Sequence, residues 1–228
     1  MLTDLKGDFA DMKLSVLLWF SENNTRFSEY SDFMQFVSPE RVKKINSYIN
    51  EKDKMLSLMA ELTARYDICR KGISGNKSIK FSCGAYGKPF LENNKDYHFS
   101  YSHTDGCIAF VCDSSETGID VELCRQTEFD FTEYVLTSDE TEYLKKSSDK
   151  ISDFYRIWTS KEAYLKYLGV GMYKKMTSFS IFDESISKHM HTGYFNEYAV
   201  SLYTEKNISC KIEPEIITSD KIRRFFTE

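Results

Sequence analysis

Two carboxylates stand two residues apart in Gly118-Ile119-Asp120-Val121-Glu122. In an extended segment alternate side chains share a face, so Asp120 and Glu122 project together while Ile119 and Val121 take the other side. Paired hard oxygen donors suit magnesium, which accepts few carboxylates and fills its octahedron with water and phosphate oxygens. The same spacing also describes a solvated strand face, because acids are mostly surface residues. A third acid follows in Trp158-Thr159-Ser160-Lys161-Glu162-Ala163-Tyr164-Leu165-Lys166, where Trp158, Glu162 and Lys166 recur at four and share one helical stripe. Either Glu162 completes a set of three acids beside the Lys166 ammonium, or Thr159 and Glu162 form a capping box with Glu162 paired to Lys166.

Other candidates flank these. His103 ends Ser100-Tyr101-Ser102-His103 just before a Thr-Asp-Gly turn, where an imidazole donates to a phosphate oxygen or serves as a structural hydrogen-bond partner. Gly87-Lys88-Pro89 presents one ammonium on a stiff turn, a feature of anion sites and of plain hairpins alike. Arg41, Lys43 and Lys44 follow Ser38-Pro39, and Arg41 and Lys44 share a helix side that either clamps an anion or faces solvent. Phosphate loops of the Gly-x-x-x-x-Gly-Lys-Ser/Thr type, dinucleotide Gly-x-Gly-x-x-Gly turns, His-Glu-x-x-His and Gly-x-Ser-x-Gly are all absent from the sequence.

The elements that must position these residues are legible from period and punctuation. Residues 14–20 read as a buried strand, and residues 29–37 place Tyr30, Phe33, Met34 and Val37 on one helical face. Ser38-Pro39 is a helix start, since Ser caps free amides and Pro at the first helical position gives up no bond. Met55, Leu58, Met59 and Leu62 mark a longer helix that Gly72 ends. Strand-like runs follow over residues 79–83, 97–102, 107–112 and 118–123, then helices over 131–134, 138–146 and 154–168. Strands return over 178–182, 194–203 and 208–212. The order strand, helices, strands thus occurs twice, and it favours α+β over a doubly wound parallel sheet. The expected division is a polar extension over residues 1–11, one lobe over 12–117 and a second over 118–228.

Composition bounds the function. The 228 residues carry 30 Lys and Arg against 35 Asp and Glu, a net charge of −5, which argues against a sequence-independent grip on nucleic acid. Seventeen Phe and 15 Tyr supply a core despite 29% charged residues. Six cysteines include no Cys-x-x-Cys pair, Asp4, Asp8 and Asp11 stand where a signal peptide is basic, and the apolar run at residues 16–20 is too short to span a bilayer. These features lead us to expect reduced thiols, a cytoplasmic location and no membrane partner.

Taken in order, Tyr86-Gly87-Lys88-Pro89, Phe99-Ser100-Tyr101-Ser102-His103, Gly118-Ile119-Asp120-Val121-Glu122 and the segment from Trp158 to Lys166 resemble the 4′-phosphopantetheinyl transferases of the surfactin-synthetase-activating type. The likeness extends to Ser38-Pro39-Glu40-Arg41 and spans residues 12–182. It implies a pseudo-dimer of two similar α+β lobes, each a small antiparallel sheet packed with helices, with coenzyme A in the cleft between them. It further implies a monomer, since shorter single-lobe members assemble as trimers. By position, Asp120, Glu122 and Glu162 match the metal-binding acids, and Lys166 matches the lysine beside the diphosphate. Lys88, Ser102 and His103 match residues that hold the coenzyme A phosphates. Arg41 and Lys44 fall where basic residues meet the 3′-phosphate, and Ser57 takes a position often held by threonine. Glu140 falls where members carry a glutamate near the reacting centre. Leu56 replaces a frequent arginine, so one phosphate contact is missing or relocated.

The resemblance implies attack by a serine of an acyl or peptidyl carrier protein on the β-phosphate of coenzyme A, aided by Mg2+, with release of 3′,5′-ADP. Glu162 or Glu140 serves as base, directly or through water. Carriers of this kind are acidic and so is this chain, so apolar contact and a local basic patch must join them, with residues 129–136 as a candidate surface. Two rivals remain: a metal-dependent hydrolase using the same acids on a diphosphate, and a catalytically silent carrier-binding protein.

Overall fold

The computed structural model describes residues 14–22, 25–126, 132–206 and 213–228, apart from the side chain of Met172. The extension expected at residues 1–11 and the strand expected at 208–212 lie outside the described residues. The first lobe begins with β1 (Ser15–Phe20), followed by α1 (Pro39–Ser47), α2 (Glu51–Arg70), the short pair β2 (Phe81–Cys83) and β3 (Pro89–Leu91), then β4 (His98–Thr104) and β5 (Cys107–Asp113). β1 pairs antiparallel with β5, and β5 with β4. Gly106, at φ 79°, supplies the left-handed residue of the tight turn between them. Ser38 caps α1 through Oγ, which accepts from the Arg41 amide at 3.2 Å.

β1 alternates between two cores. Leu17 and Trp19 pack on α2, whose Leu58, Met59, Leu62 and Ile68 are fully buried, whereas Val16 and Leu18 face the second lobe. The stretch 29–37 buries Tyr30, Phe33 and Val37, but in 3-10 turns over Phe27–Glu29 and Ser31–Phe36 rather than in a continuous helix.

The second lobe comprises β6 (Thr117–Leu123), α3 (Ser138–Lys146), α4 (Lys150–Leu168), the short α5 (Glu184–Ser187), β7 (Met190–Phe195) and β8 (Tyr198–Thr204), in an antiparallel sheet ordered β6-β8-β7. Ile119, Val121, Val200 and Leu202 meet Val16, Leu18, Ala109 and Val111, so the two sheets press together through one apolar seam. The architecture is α+β, two lobes of small sheets packed with helices.

Further expectations change, the strand expected at 194–203 among them, which is the hairpin of β7 and β8. The strand expected at 178–182 is a turn: Glu140 Oε1 accepts from the Ile181 amide, and Lys161 Nζ donates to the Phe179 carbonyl, so side chains take the groups a ladder would need. The alternative of a capping box at Thr159 is absent because the N-cap of α4 is Asp149, ten residues earlier; Thr159 lies within the helix, its hydroxyl donating to the Tyr155 carbonyl. The chain also returns to the first lobe, where β9 (Glu215–Ile217) joins β1 in parallel and α6 (Ser219–Thr227) buries Ile222 in the first core. No helix among the described residues is long and apolar enough to cross a membrane.

Candidate active site

β6 and α4 bring the acids together, and Gly118 lets them. A Cβ on Gly118 would overlap the Ala163 carbonyl oxygen and the Tyr167 amide, so only a glycine allows the strand to lie this close to the helix carrying Glu162 and Lys166. Asp120 is only 2% exposed, which rules out the solvated strand face. Its Oδ1 accepts from Ser102 Oγ at 2.7 Å and pairs with Lys166 Nζ at 2.6 Å, and Lys166 also donates to Ser102 at 2.7 Å. Asp120 Oδ2 is buried with no hydrogen-bond partner among the described residues. Glu122 accepts from Thr104 Oγ1 at 3.1 Å, and the nearby Trp158 indole also favours its ionised form.

The three acids share a deficit of positive charge. Burial first, and then the Asp120 carboxylate, push the Glu122 carboxyl up to about 7, against the donors Thr104 and Trp158. Burial and Asp120 likewise raise Glu162, and Lys166 offsets only part of the effect. Among the described residues no three such side chains stand as a ready-made metal cage. The donor set nevertheless fits a hard divalent cation: three carboxylates, one buried oxygen with no partner, and two acids whose ionised form needs a compensating charge.

Alternate residues of β4 face a different group. Tyr101 OH accepts from Arg41 at 3.0 Å, and Arg41 also donates to Ser57 Oγ at 3.3 Å and to Glu61 at 3.0 Å. Arg65 holds the other oxygen of Glu61 at 2.8 Å, so the acid orients Arg41 without cancelling the local positive charge. Arg41, Lys44, Tyr101, Phe81 and Pro89 line a groove of about 420 Å³. His103, two residues on from Tyr101 along β4, lies within the field of Lys166, Lys44 and Arg41. Partial burial and the charges of Lys166, Lys44 and Arg41 hold its pKa below the usual histidine value, despite an opposing pull from Asp53. Its imidazole feels the charges of three nearby cations, an arrangement that draws a polyanion.

The structure therefore groups Asp120, Glu122, Glu162, Lys166 and Ser102 in one cluster and places Arg41 and Lys44 in a separate groove, with buried Ser57 behind Arg41, and the charges of both groups act on His103. Lys88 is held at the edge of the cleft, donating to the Thr117 and Tyr167 carbonyls, each at 3.1 Å, and pairing with Glu116. Glu140 does not join the cluster. It is fully buried, accepts from the Thr137 and Ile181 amides at 2.8 Å each, and pairs with fully buried Lys161 at 2.8 Å. All of its nearby partners hold α3, α4 and the 178–182 turn together, so its place is structural and not that of a base. Sequence reasoning missed Glu61, Tyr101 and Thr104; a hydroxyl at every second residue of β4, Ser100, Ser102 and Thr104, was the available signal for the last.

Residues 116–212 match the family described as the 4′-phosphopantetheinyl transferase superfamily, and residues 22–115 match the N-terminal region of 4′-phosphopantetheinyl transferases. The chain is 30% identical over 177 residues to 4′-phosphopantetheinyl transferase Sfp of Bacillus subtilis, covering 77% of this chain and 74% of that protein. It is 33% identical over 147 residues to the transferase gsp of Aneurinibacillus migulanus, covering 64% and 61%. A more distant relative, 28% identical over 162 residues and 60% of each chain, is the L-aminoadipate-semialdehyde dehydrogenase-phosphopantetheinyl transferase of Saccharomyces cerevisiae. With both lobes matched and the acid cluster at their seam, the chain belongs to the 4′-phosphopantetheinyl transferases.

Proposed function

We propose that this chain transfers 4′-phosphopantetheine from coenzyme A to a serine hydroxyl of an apo acyl or peptidyl carrier protein, releasing 3′,5′-ADP. The observation that carries this reading is a buried acid cluster short of positive charge, lying beside a basic groove across the seam between two lobes. Asp120, Glu122 and Glu162 would hold Mg2+, which when bound supplies Lewis-acid neutralisation of the diphosphate. Lys166 directs its ammonium, fixed by Asp120 and Ser102, to a diphosphate oxygen. His103 donates an N–H to the same group, and Lys88 exchanges Glu116 for a phosphate oxygen. Arg41, Lys44 and Ser57 receive the 3′-phosphate in the groove.

Glu162 accepts the serine proton, directly or through a water, as the new O–P bond forms and the P–O bond to the leaving 3′,5′-ADP breaks. The carrier meets the 129–136 stretch, of which residues 129–131 lie outside the described residues and Tyr134 is 72% exposed. The enzyme acts as a cytoplasmic monomer in which the lobe begun at residue 12 and completed by β9 and α6, and the lobe begun at residue 118, supply the two sides of the cleft.

The test is incubation of the purified protein with coenzyme A, Mg2+ and apo carriers of both classes, followed by weighing the carrier by mass spectrometry. A gain equal to phosphopantetheine is expected. No gain on any carrier refutes the transfer, and 3′,5′-ADP released without a carrier points to a hydrolase. Asp120→Ala is expected to abolish Mg2+-dependent transfer while the circular dichroism spectrum is retained; undiminished transfer removes Asp120 from the site.

A further inference from the structure

Ser100, Ser102 and Thr104 occupy alternate positions on β4, and each meets β6. Ser100 Oγ accepts from the Ile119 amide at 3.3 Å, Ser102 Oγ donates to Asp120 Oδ1 at 2.7 Å, and Thr104 Oγ1 donates to Glu122 Oε2 at 3.1 Å. The two strands share no backbone ladder, since β4 is an outer strand of the first sheet and β6 an outer strand of the second. Side-chain hydroxyls set their register instead. Ser102 to Asp120 and Thr104 to Glu122 are each separated by 18 residues along the chain, so the rungs advance in step from one acid to the next.

The lower rungs have other partners. Ser100 holds a main-chain amide, and Ser102 also receives Lys166. Thr104 addresses the Glu122 carboxylate from the first lobe, while Trp158 addresses it from α4 in the second. A carboxylate offers about four lone-pair directions. The Thr104 hydroxyl, arriving from the other lobe, takes one of them beside the Trp158 indole and leaves the remaining directions open, without adding the positive charge that the acid cluster lacks. A ligand anchored in this way meets a cation in one orientation, whereas a free glutamate must first give up its rotamers.

On the basis of the metal reading above, we propose that Thr104, working with Trp158, is a positioning residue that aims the Glu122 carboxylate at the divalent cation. Neither residue touches the reacting atoms. The assignment makes metal affinity depend on the closed lobe seam, because Thr104 stands on one side of it and Glu122 on the other.

The test compares Thr104→Val, which keeps the side-chain shape and suits a strand, with Thr104→Ser, which keeps the hydroxyl. Magnesium is titrated into protein saturated with coenzyme A in the absence of carrier, so that no turnover occurs. Binding is followed by tryptophan emission and independently by calorimetry. The second tryptophan, Trp19, is fully buried and donates to Ser219, so the magnesium-dependent change reports on Trp158. The expected result is a midpoint raised roughly 10–100-fold in Thr104→Val and restored by Thr104→Ser, with the kinetic change falling on the magnesium midpoint more than on kcat. An unchanged midpoint in Thr104→Val overturns the assignment, as does a loss of urea resistance and turnover with no shift in midpoint. If the parent protein itself shows no magnesium dependence, the metal reading fails and Thr104 loses its role with it.

Discussion

Gly118→Ala is the sharpest perturbation of the site that leaves its chemistry untouched. The added methyl group would stand well inside 3.0 Å of the Ala163 carbonyl oxygen and the Tyr167 amide nitrogen, both of them backbone atoms that no rotamer change can move. Restoring an ordinary separation of ~3.5 Å requires β6 and α4 to part by on the order of 1 Å. Overpacking of this kind costs about 1–3 kcal/mol of stability. The geometric penalty is larger. Asp120 rides on β6 two residues from Gly118, and Lys166 and Glu162 ride on α4, so the parting opens the 2.6 Å Lys166–Asp120 contact directly. A misplacement of about 1 Å at a catalytic constellation lowers turnover by roughly 100-fold. The assay is the initial rate of carrier mass gain at saturating coenzyme A and magnesium, paired with urea denaturation. A variant that keeps parental kcat would refute the claim that the close strand-to-helix approach sets the site.

Other outcomes follow from particular contacts. Glu122 binds its proton more tightly in the folded chain than its ordinary value of 4.5, so stability present below pH 4.5 is lost as pH rises through about 7. Allowing for partial exposure, Glu122→Gln should stabilise the metal-free protein by about 2–3 kcal/mol at pH 8 and leave it unchanged at pH 4. Urea denaturation with a chelator at both pH values checks this, and parallel pH profiles for parent and variant would contradict it. Arg41→Ala leaves Glu61 paired with Arg65 and should raise KM for coenzyme A roughly 10–100-fold, with a much smaller effect on dephospho-coenzyme A. Equal effects on both substrates would remove Arg41 from the 3′-phosphate. Lys161→Met strands the buried Glu140 carboxylate and should cost about 3–5 kcal/mol, with turnover per folded molecule retained at low temperature. If folded Lys161→Met or Glu140→Gln protein is inactive, the structural placement of Glu140 is wrong.

The order of elements and the acid cluster were legible because each left a periodic mark. Asp120 and Glu122 show the two-residue period of a strand, and Glu162 and Lys166 the four-residue period of a helix. Local pattern could not show what lies across space. Phe179 and Ile181 alternate with polar neighbours as a strand does, yet distant Glu140 and Lys161 capture their backbone groups. Glu140 itself was misjudged for the same reason, since its position in the chain says nothing of the Lys161 that neutralises it. The start of α4 was placed late because Asp149 and the polar turn after it carry a cap signal but no apolar stripe. Nor could hydroxyls on β4 be matched to acids on β6 until the seam between two unladdered strands was known.

The return of β9 to β1 governs how the molecule comes into being. During translation the outer edge of β1 stays open while nearly two hundred further residues are made, and the first core lacks Ile217 and Ile222 until then. The nascent first lobe is therefore a platform with a bare strand edge, the kind of surface that invites wrong pairing. Trp19 closing on Ser219, and Arg70 on Glu215, tie β1 and α2 to the returning segment. Completion of the enzyme is thus a single late event of long loop closure, and exchanging one lobe between relatives without its terminal strand would leave both halves unfinished.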